Sequence, residues 1–252
     1  MGAIQENTLR RVIMDAYELK QINPADPSTW DREPPTFETV YRLYQQDEDI
    51  KKNDTLASIM EKLHDFEIFE SDPTKTLSLF DALKGVVVID LSGYDQDIQN
   101  LVVGIMVDLF YSQMHAVGHS SIDGNMREIS KMILVDEADN FLSQGFPSLK
   151  KILKEGREFG VGVILSTQFL KHFKSKEEDY SKYILTWVVH NVSDLDLSDI
   201  RFVFNTVAKS DEEEYYFNQV KKLSKHCSLV KMGESSKPVP MRDLAFFELA
   251  IN

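Results

Sequence analysis

A short apolar run that ends in two carboxylates limits the possible folds of this chain more than any other feature. The run MILV occupies residues 132–135, and Asp136 and Glu137 follow it directly. Uninterrupted apolar residues of this kind are typical of a strand buried on both faces of a parallel sheet. Functional side chains in such sheets gather at the carboxyl ends of the strands. The two carboxylates are therefore the first candidate site.

Similar apolar runs recur along the chain and are separated by helical patterns. The predicted strands are 85–93, 132–136, 161–167, 182–192 and 227–233, and the predicted helices between them are 97–117, 147–159 and 211–225. Alternation of strands and helices predicts an α/β fold with a parallel sheet and right-handed crossovers. A short docking segment is expected at 237–249 and a loop at 119–131.

The first 80 residues show no such strands and predict helices instead. Apolar residues recur at helical spacing in three segments, 6–20, 37–46 and 54–69. Thr36 and Asp54 stand where the N-caps of the second and third helix would lie. We therefore expect an all-helical subdomain at 1–80 and an α/β core at 81–252.

Composition and charge exclude several classes of protein. The chain has 252 residues, of which 42% are hydrophobic, so it can bury a core and is not a disordered segment. Its net charge of -13 repels nucleic acid, so the whole surface cannot be a nucleic-acid-binding face. The single cysteine, Cys227, excludes an internal disulfide and is typical of a reducing compartment. Because neither a membrane-length apolar run nor a signal peptide is present, we expect a cytoplasmic protein without a membrane partner.

The apolar strand ending in Asp-Glu resembles the Walker B motif of enzymes that hydrolyse nucleoside triphosphates, and the chemistry of that motif explains the residue types. Asp136 would hold Mg²⁺ through its water shell, because hard cations prefer carboxylate oxygen. Glu137 would orient and polarise the attacking water. The next strand ends in Thr167 and Gln168, and an adjacent strand would place this pair beside the acids. Thr167 could then contact the nucleotide, and Gln168 could bind the γ-phosphate. The alternative is a strand that simply ends in two solvated acids, which is common.

Arg157 is a further candidate. It stands at the end of a predicted helix, just before the glycines that lead into the strand at 161–167. A helix-terminal arginine is usually a solvated surface cation. An arginine that reaches the phosphates of a neighbouring subunit accelerates hydrolysis by about 10³–10⁵. Both interpretations remain open at this point.

A hydrophobic strand ending in Asp-Glu resembles the Walker B motif of P-loop nucleoside triphosphatases. The literal Asp136-Glu137-Ala138-Asp139 resembles the DEAD-box RNA helicases. Those enzymes require Ser-Ala-Thr on the following strand, where this chain has Ser166-Thr167-Gln168. They also require a second helicase domain with an arginine-rich motif, for which the remaining tail is too short. The DEAD-box interpretation therefore fails.

The chain is more similar to the HerA–FtsK group of ring-forming DNA-translocating ATPases. The similarity rests on MILVDEADNFL, on LKEGREFGVGVILSTQ, on the spacing between them, and on the helical segments near the start. It implies a partial RecA-like P-loop ATPase core with an N-terminal helical insertion, which uses ATP and Mg²⁺. It also implies a role for Asp136 in holding Mg²⁺, for Glu137 in activating water, for Gln168 as sensor and, less directly, for Arg157.

The same resemblance implies partners and a setting. Members of the group form rings, commonly hexamers, around DNA. Within the group, the chain looks most like ATPase subunits of phosphorothioation-dependent DNA restriction systems, which implies a helicase or translocase role in bacterial defence beside other subunits. Three lysine-rich stretches, 149–157, 171–176 and 220–226, could face DNA phosphates, although each alone is more often a solvated helix face.

One half of the expected site is missing from the sequence. A Walker A loop reads G-x-x-x-x-G-K-[ST] and cradles phosphate with its backbone N–H groups. No glycine in this chain is followed by lysine. We therefore expect the C-terminal part of a longer ATPase, inactive alone, with an exposed apolar flank where the Walker A strand would lie. The alternative is a non-hydrolysing interaction or oligomerisation module of a larger DNA-processing complex. A third interpretation, a regulator that binds nucleic acid directly, is disfavoured by the negative net charge of the chain.

Overall fold

The structure, a computed structural model, describes residues 2–51, 53–168, 173, 180–192, 194–233, 236–244 and 248. Contacts between residues divide the chain into two compact units, an N-terminal unit, Met1–Met106, and a C-terminal unit, Val107–Asn252. The expected boundary at residue 80 stays a prediction, and each unit is described by itself. No helix in the described ranges is both long and apolar enough to cross a membrane.

The N-terminal unit contains the three predicted helices, α1 (Ala3–Leu19), α2 (Phe37–Gln46) and α3 (Thr55–Asp65), and a short α4 (Leu79–Ala82). Both predicted caps are confirmed. The Thr36 side chain accepts a hydrogen bond from the Thr39 amide, and the Asp54 side chain accepts one from the Ala57 amide. Such bonds satisfy amides that the first helical turn leaves without a partner. The helices bury a common cluster of Val12, Ala16, Val40, Tyr44, Leu56, Ala57 and Met60.

The predicted strand at 85–93 is wrong. These residues form neither helix nor strand, and Val86 and Val88 are 98% and 84% exposed. A strand needs a neighbour that satisfies its backbone hydrogen bonds, and none of the strands that the structure describes pairs with this segment. Its apolar side chains therefore face solvent. A long helix, α5 (Gln96–Val117), follows it.

The C-terminal unit carries the predicted parallel pair. Strand β3 (Lys131–Val135) pairs with β4 (Val161–Leu165), with Val135 opposite Leu165. Between them the chain forms α6 (Asp139–Leu142), α7 (Pro147–Glu155) and a 3₁₀ turn at Gly156–Phe159. The two carboxyl ends therefore lie side by side, as the sequence predicts.

The remaining strands differ from the prediction in their pairing. A hairpin of β1 (Ile122–Asp123) and β2 (Met126–Arg127) lies in the expected loop. Strands β5 (Thr186–Val189) and β6 (Cys227–Met232) form where predicted, but they pair antiparallel in a separate sheet with β7 (Val239–Arg242), part of the expected docking segment. Helices α8 (Leu197–Phe204) and α9 (Asp211–Lys221) connect β5 to β6.

The β3–β4 pair is covered on one face only, whereas the sequence predicts burial on both. Val135 and Leu165 pack against a buried cluster of Ala138, Leu142, Leu149, Phe173 and Tyr180. Because successive side chains of a strand point to opposite faces, Met132, Leu134 and Ile164 face the other way. They are 55%, 67% and 49% exposed. These three side chains are called the open face below.

Candidate functional site

The candidate site lies at the carboxyl end of β3, where Asp136 and Glu137 form a turn. A single residue directly after the neighbouring strand β4 holds both ends of this dipeptide. The Ser166 amide donates to the Val135 carbonyl at 2.9 Å, and the Ala138 amide donates to the Ser166 carbonyl at 2.8 Å. The two acidic residues are therefore looped out between these bonds, and both are exposed.

This turn places Glu137 in an unusual backbone conformation. Its φ is 49°, in the left-handed region, which costs residues with a Cβ about 1–2 kcal/mol. The next residue, Ala138, is only 1% exposed and belongs to the buried cluster beneath the turn. Burial of Ala138 and the two bonds to Ser166 hold the turn in place despite this cost. Strained residues held in this way cluster at functional sites.

The residues that directly follow β4, 166–168, contribute the second part of the site and are called the exit of β4 below. The Thr167 hydroxyl donates a hydrogen bond to the Asp139 carboxylate, Oγ1 to Oδ1, at 3.1 Å. Gln168 follows directly and is exposed. The structure thus brings Thr167 and Gln168 to the same sheet edge as Asp136 and Glu137. The Thr167 hydroxyl therefore contacts Asp139, a third acid to which the sequence assigned no role.

Sequence reasoning assigned no role to Asp139 or to Ser166. The strand register alone would set Thr167 opposite Glu137, because Val135 lies opposite Leu165. The turn loops out two residues, so Thr167 meets Asp139 instead. Asp139 was visible in the motif, but only the backbone path of the turn identifies its partner.

Arg157 lies at the opposite end of the two strands, near their amino ends. It belongs to the 3₁₀ turn that precedes β4, next to the amino ends of both strands. Five residues of strand, at about 3.3 Å each, separate this end from Asp136 by on the order of 15 Å. The structure therefore does not bring Arg157 together with the acids of the same chain. Arg157 is exposed, and among the described residues it forms no ion pair.

The turn that carries Arg157 is held firmly. The Arg127 guanidinium donates from Nη1 to the carbonyls of Ser120 and Glu158, both at 3.0 Å. The Ser120 amide also donates to the Glu158 carbonyl, at 3.1 Å. Arg157 lines a cavity of about 440 Å³ whose walls are formed by Ile122, Asn125, Met126, Arg127, Ile129, Gly160, Val161 and Gly162. The arginine thus projects from a rigid, partly apolar surface.

The acids at the candidate site fit a magnesium ion that arrives with phosphate. Within the described ranges, no group of three or more histidine, cysteine or acidic side chains could hold a metal ion by itself. Mg²⁺ usually keeps several waters and takes one or two carboxylates together with substrate phosphates. The exposed carboxylate of Asp136 can supply such a ligand, with Glu137 beside it.

One predicted feature lies outside the described residues. The lysine-rich stretch 171–176, which is predicted to be able to face DNA phosphates, follows β4 in the sequence. Within it the structure describes Phe173 alone, which is buried in the cluster beneath the site.

Comparison of the whole chain with known proteins identifies its fold. No protein-family model matches the sequence, and no curated protein matches it. Among solved structures, the chain is similar to VirB4 of Thermoanaerobacter pseudethanolicus, with a TM-score of 0.66 and 14% identity, over 98% of this chain. The chain shares the VirB4 fold. The predicted α/β class is thereby confirmed.

The extent of the VirB4 match is limited. The chain spans 66% of that structure, slightly less than two thirds of its length. A second similarity is to the genome packaging NTPase B204 from Sulfolobus turreted icosahedral virus 2 in complex with ATP-gammaS. It has a TM-score of 0.40 and 17% identity, and it covers 68% of this chain and 73% of B204. A similarity this weak does not show a shared fold.

Proposed function

We propose that this chain supplies the carboxylates and the sensor of a composite ATP site in a DNA-translocating ATPase. The observation that carries the proposal is the turn between β3 and α6. It loops Asp136 and Glu137 out between two hydrogen bonds to Ser166, which follows β4 directly and precedes Gln168 by two residues. An exposed acid pair beside an exposed amide, at the carboxyl ends of two parallel strands, suits a nucleotide and its magnesium ion.

Each residue has a distinct role in this proposal. Asp136 holds the water shell of Mg²⁺, which neutralises charge on the β- and γ-phosphates. Glu137 accepts a proton from the attacking water and orients it. Gln168 donates a hydrogen bond to the γ-phosphate and so reports whether it is present. Thr167, predicted as a nucleotide contact, acts here mainly through its hydrogen bond to Asp139.

The phosphate-binding loop comes from outside this sequence. The chain contains no G-x-x-x-x-G-K-[ST], so its own backbone offers no known cradle for the β- and γ-phosphates. The open face supports a missing neighbour, because contiguous exposed apolar side chains usually mark a surface that another segment covers. ATP and Mg²⁺ are therefore expected to bind only once that segment is in place.

The position of Arg157 supports a role between subunits. Asp136 lies at the carboxyl ends of β3 and β4, and Arg157 lies near their amino ends. The two residues can therefore meet only between subunits, when the amino ends of these strands in one copy face the carboxyl ends in the next copy. Head-to-tail contacts of this kind generate rings when the rotation closes. We propose such a ring, a hexamer by resemblance, with DNA as the partner that it moves. The role in a restriction system rests on sequence resemblance alone and stays a prediction.

The second candidate is an interaction module without hydrolysis. The absence of a phosphate-binding motif from the sequence favours it, together with the open face. In that case the open face and the surface around Arg157 would bind other subunits of a DNA-processing complex. Asp136 and Glu137 would then be solvated acids without a chemical role.

Calorimetry with Mg²⁺ and ATP separates the two candidates. We expect no binding by the chain alone, and binding by a longer protein that adds a phosphate-binding loop at the amino end. In the longer protein, Glu137→Gln should retain binding and lower the rate of hydrolysis by about 10²–10⁴-fold, the usual contribution of a positioned general base. Equal hydrolysis with Gln at 137 would refute the assigned role. No binding by the longer protein would favour the interaction module.

A further inference from the structure

We infer that Asp139 and Thr167 form a latch that couples the position of Gln168 to that of Glu137. The inference rests on the proposed function, because it concerns the two residues that would sense the γ-phosphate and activate water. Neither latch residue is assigned a chemical step. Both are positioning residues, and the link between them is the side-chain hydrogen bond of 3.1 Å.

Three hydrogen bonds join the exits of the two strands, one after another. Ser166 bonds Val135 with its amide and Ala138 with its carbonyl, and Thr167 then bonds Asp139 with its hydroxyl. The first two involve backbone atoms and are independent of side-chain identity. The third depends entirely on the residue types at 139 and 167. It is also the bond nearest Gln168, the next residue along the chain.

The latch acts on a turn that holds one residue in a disfavoured backbone conformation. Glu137 is held in the left-handed region, where most residues with a side chain are disfavoured. Its neighbour Ala138 is buried and bonded to Ser166, and Asp139 is bonded to Thr167. If the exit of β4 shifts, these bonds weaken and Glu137 can relax to ordinary φ values. Relaxation would turn its carboxylate away from the position that it now occupies.

This arrangement gives a physical path from phosphate loss to loss of the catalytic geometry. A γ-phosphate that binds Gln168 would hold the exit of β4 in place, and through the latch it would hold Glu137 in the strained state. Departure of the phosphate would release both. The strain supplies the tendency to move, and the latch determines when movement is allowed.

Nuclear magnetic resonance of the ¹⁵N-labelled chain tests the latch without any nucleotide. The probe is the backbone amide signal of Gln168, and the perturbation is Glu137→Gln. In the otherwise unchanged chain we expect this substitution to shift the Gln168 signal. In a Thr167→Val background, which keeps the branched shape and removes the donor, the shift should fall by at least half. In a Thr167→Ser background, which keeps the donor, it should persist.

A Gln168 shift of the same size in the Thr167→Val background would overturn the inference, because the two residues would then communicate by another route. Asp139→Asn serves as a second variant in case Thr167→Val does not fold. Its amide oxygen can still accept from Thr167, so coupling should persist, whereas Asp139→Ala should abolish it. Failure of the latch leaves the calorimetric test of ATP binding untouched. Conversely, absence of ATP binding does not affect the resonance measurement.

Discussion

Glu137 carries both a candidate catalytic carboxylate and the strained backbone of the turn after β3. In the middle of a helix or strand, glycine makes the folded protein less stable than alanine does, by roughly 0.5–1 kcal/mol. The reason is that glycine loses more conformational freedom when the chain folds. The left-handed φ of 49° reverses this preference, because only the alanine carries a Cβ that clashes there. Backbone strain and side-chain chemistry at this residue can therefore be separated by substitution.

We predict that Glu137→Gly unfolds with a free energy about 1 kcal/mol higher than Glu137→Ala, since glycine adopts left-handed φ without the steric cost. Both variants lack the carboxylate, so each is the control for the other. Urea unfolding followed by circular dichroism measures the difference. An alanine variant at least as stable as the glycine variant would show that the turn is not strained.

Two glycines near the amino end of β4 should respond differently to substitution by alanine. Gly160 has a φ of 71°, and a Cβ there would lie 2.6 Å from the Glu128 carbonyl oxygen, which is backbone and cannot move aside. A Cβ at Gly162 would instead meet the end of the Met132 side chain, which is exposed and can swing into solvent. The two positions are separated by a single residue.

We therefore expect Gly160→Ala to lower the free energy of unfolding by about 1–3 kcal/mol, because it combines a left-handed φ with a backbone clash. Gly162→Ala should stay within about 0.5 kcal/mol of the unchanged chain, like most substitutions next to solvent. Thermal unfolding of the two variants side by side provides the measurement. Equal losses would mean that the close approach of Gly160 to Glu128 is not present in solution.

At the scale of elements, local sequence signals predict helices better than strands in this chain. The caps at Thr36 and Asp54 act within one helical turn, so nearby residues suffice to identify them. A strand depends on partners that are distant in sequence. The segment 85–93 has the composition of a strand, yet no described strand pairs with it. Composition alone could not reveal this, because it contains no information about neighbours.

An ion pair in the N-terminal unit links α3 to the start of α5. Lys62 Nζ lies 2.6 Å from Asp95 Oδ2, and Asp95 Oδ1 accepts a hydrogen bond from the Ile98 amide. The hydrogen bond from Lys62 lowers the pKa of Asp95, and the bond to Asp95 raises the pKa of Lys62. The carboxylate thus both caps α5 and pairs with α3.

We predict that Asp95→Asn destabilises the chain near neutral pH and that this difference disappears in acid. Because the pKa of Asp95 is lower in the folded chain, its contribution is present above the unfolded value of about 3.9 and is lost as the pH falls through the folded value. Asparagine retains the cap, so the variant isolates the ion pair. Urea unfolding from pH 7 downward measures the difference.

Lys62→Gln serves as the control for this prediction, because it removes the same ion pair from the other side. Its destabilisation should show the same decline toward low pH. A difference between Asp95→Asn and the unchanged chain that stays constant with pH would exclude the ion pair as the cause.

At the scale of the whole molecule, charge is divided unevenly between the two units. Residues 1–106 contain 20 acidic and 10 basic side chains, a net charge of -10, whereas residues 107–252 contain 21 and 18, a net charge of -3. DNA is repelled far more strongly by the first unit than by the second. Any DNA contact is therefore expected on the C-terminal unit, where the lysine-rich helix α7 also lies.

We predict that Lys154→Ala weakens DNA binding at low salt, whereas Lys75→Ala does not. Both lysines are exposed, but Lys154 lies on α7 and Lys75 lies in the acidic N-terminal unit. Loss of one phosphate contact should lower the slope of log affinity against log salt by about 1. Fluorescence anisotropy with labelled duplex DNA measures both quantities. Equal effects of the two substitutions, or no binding at any salt concentration, would contradict the proposal that this unit contacts DNA.

The sequence by itself determined the α/β class, the helices of the N-terminal unit, and the adjacency of the two strands that lead to Asp136 and Gln168. These features follow from short-range patterns, which are the apolar run, the periodicity and the caps. Only the tertiary structure decided that Thr167 bonds Asp139, that Glu137 is strained and that Arg157 faces the opposite edge. The physical reason is that each depends on the backbone path of a turn or on strand direction, which are set by contacts between residues far apart in the chain.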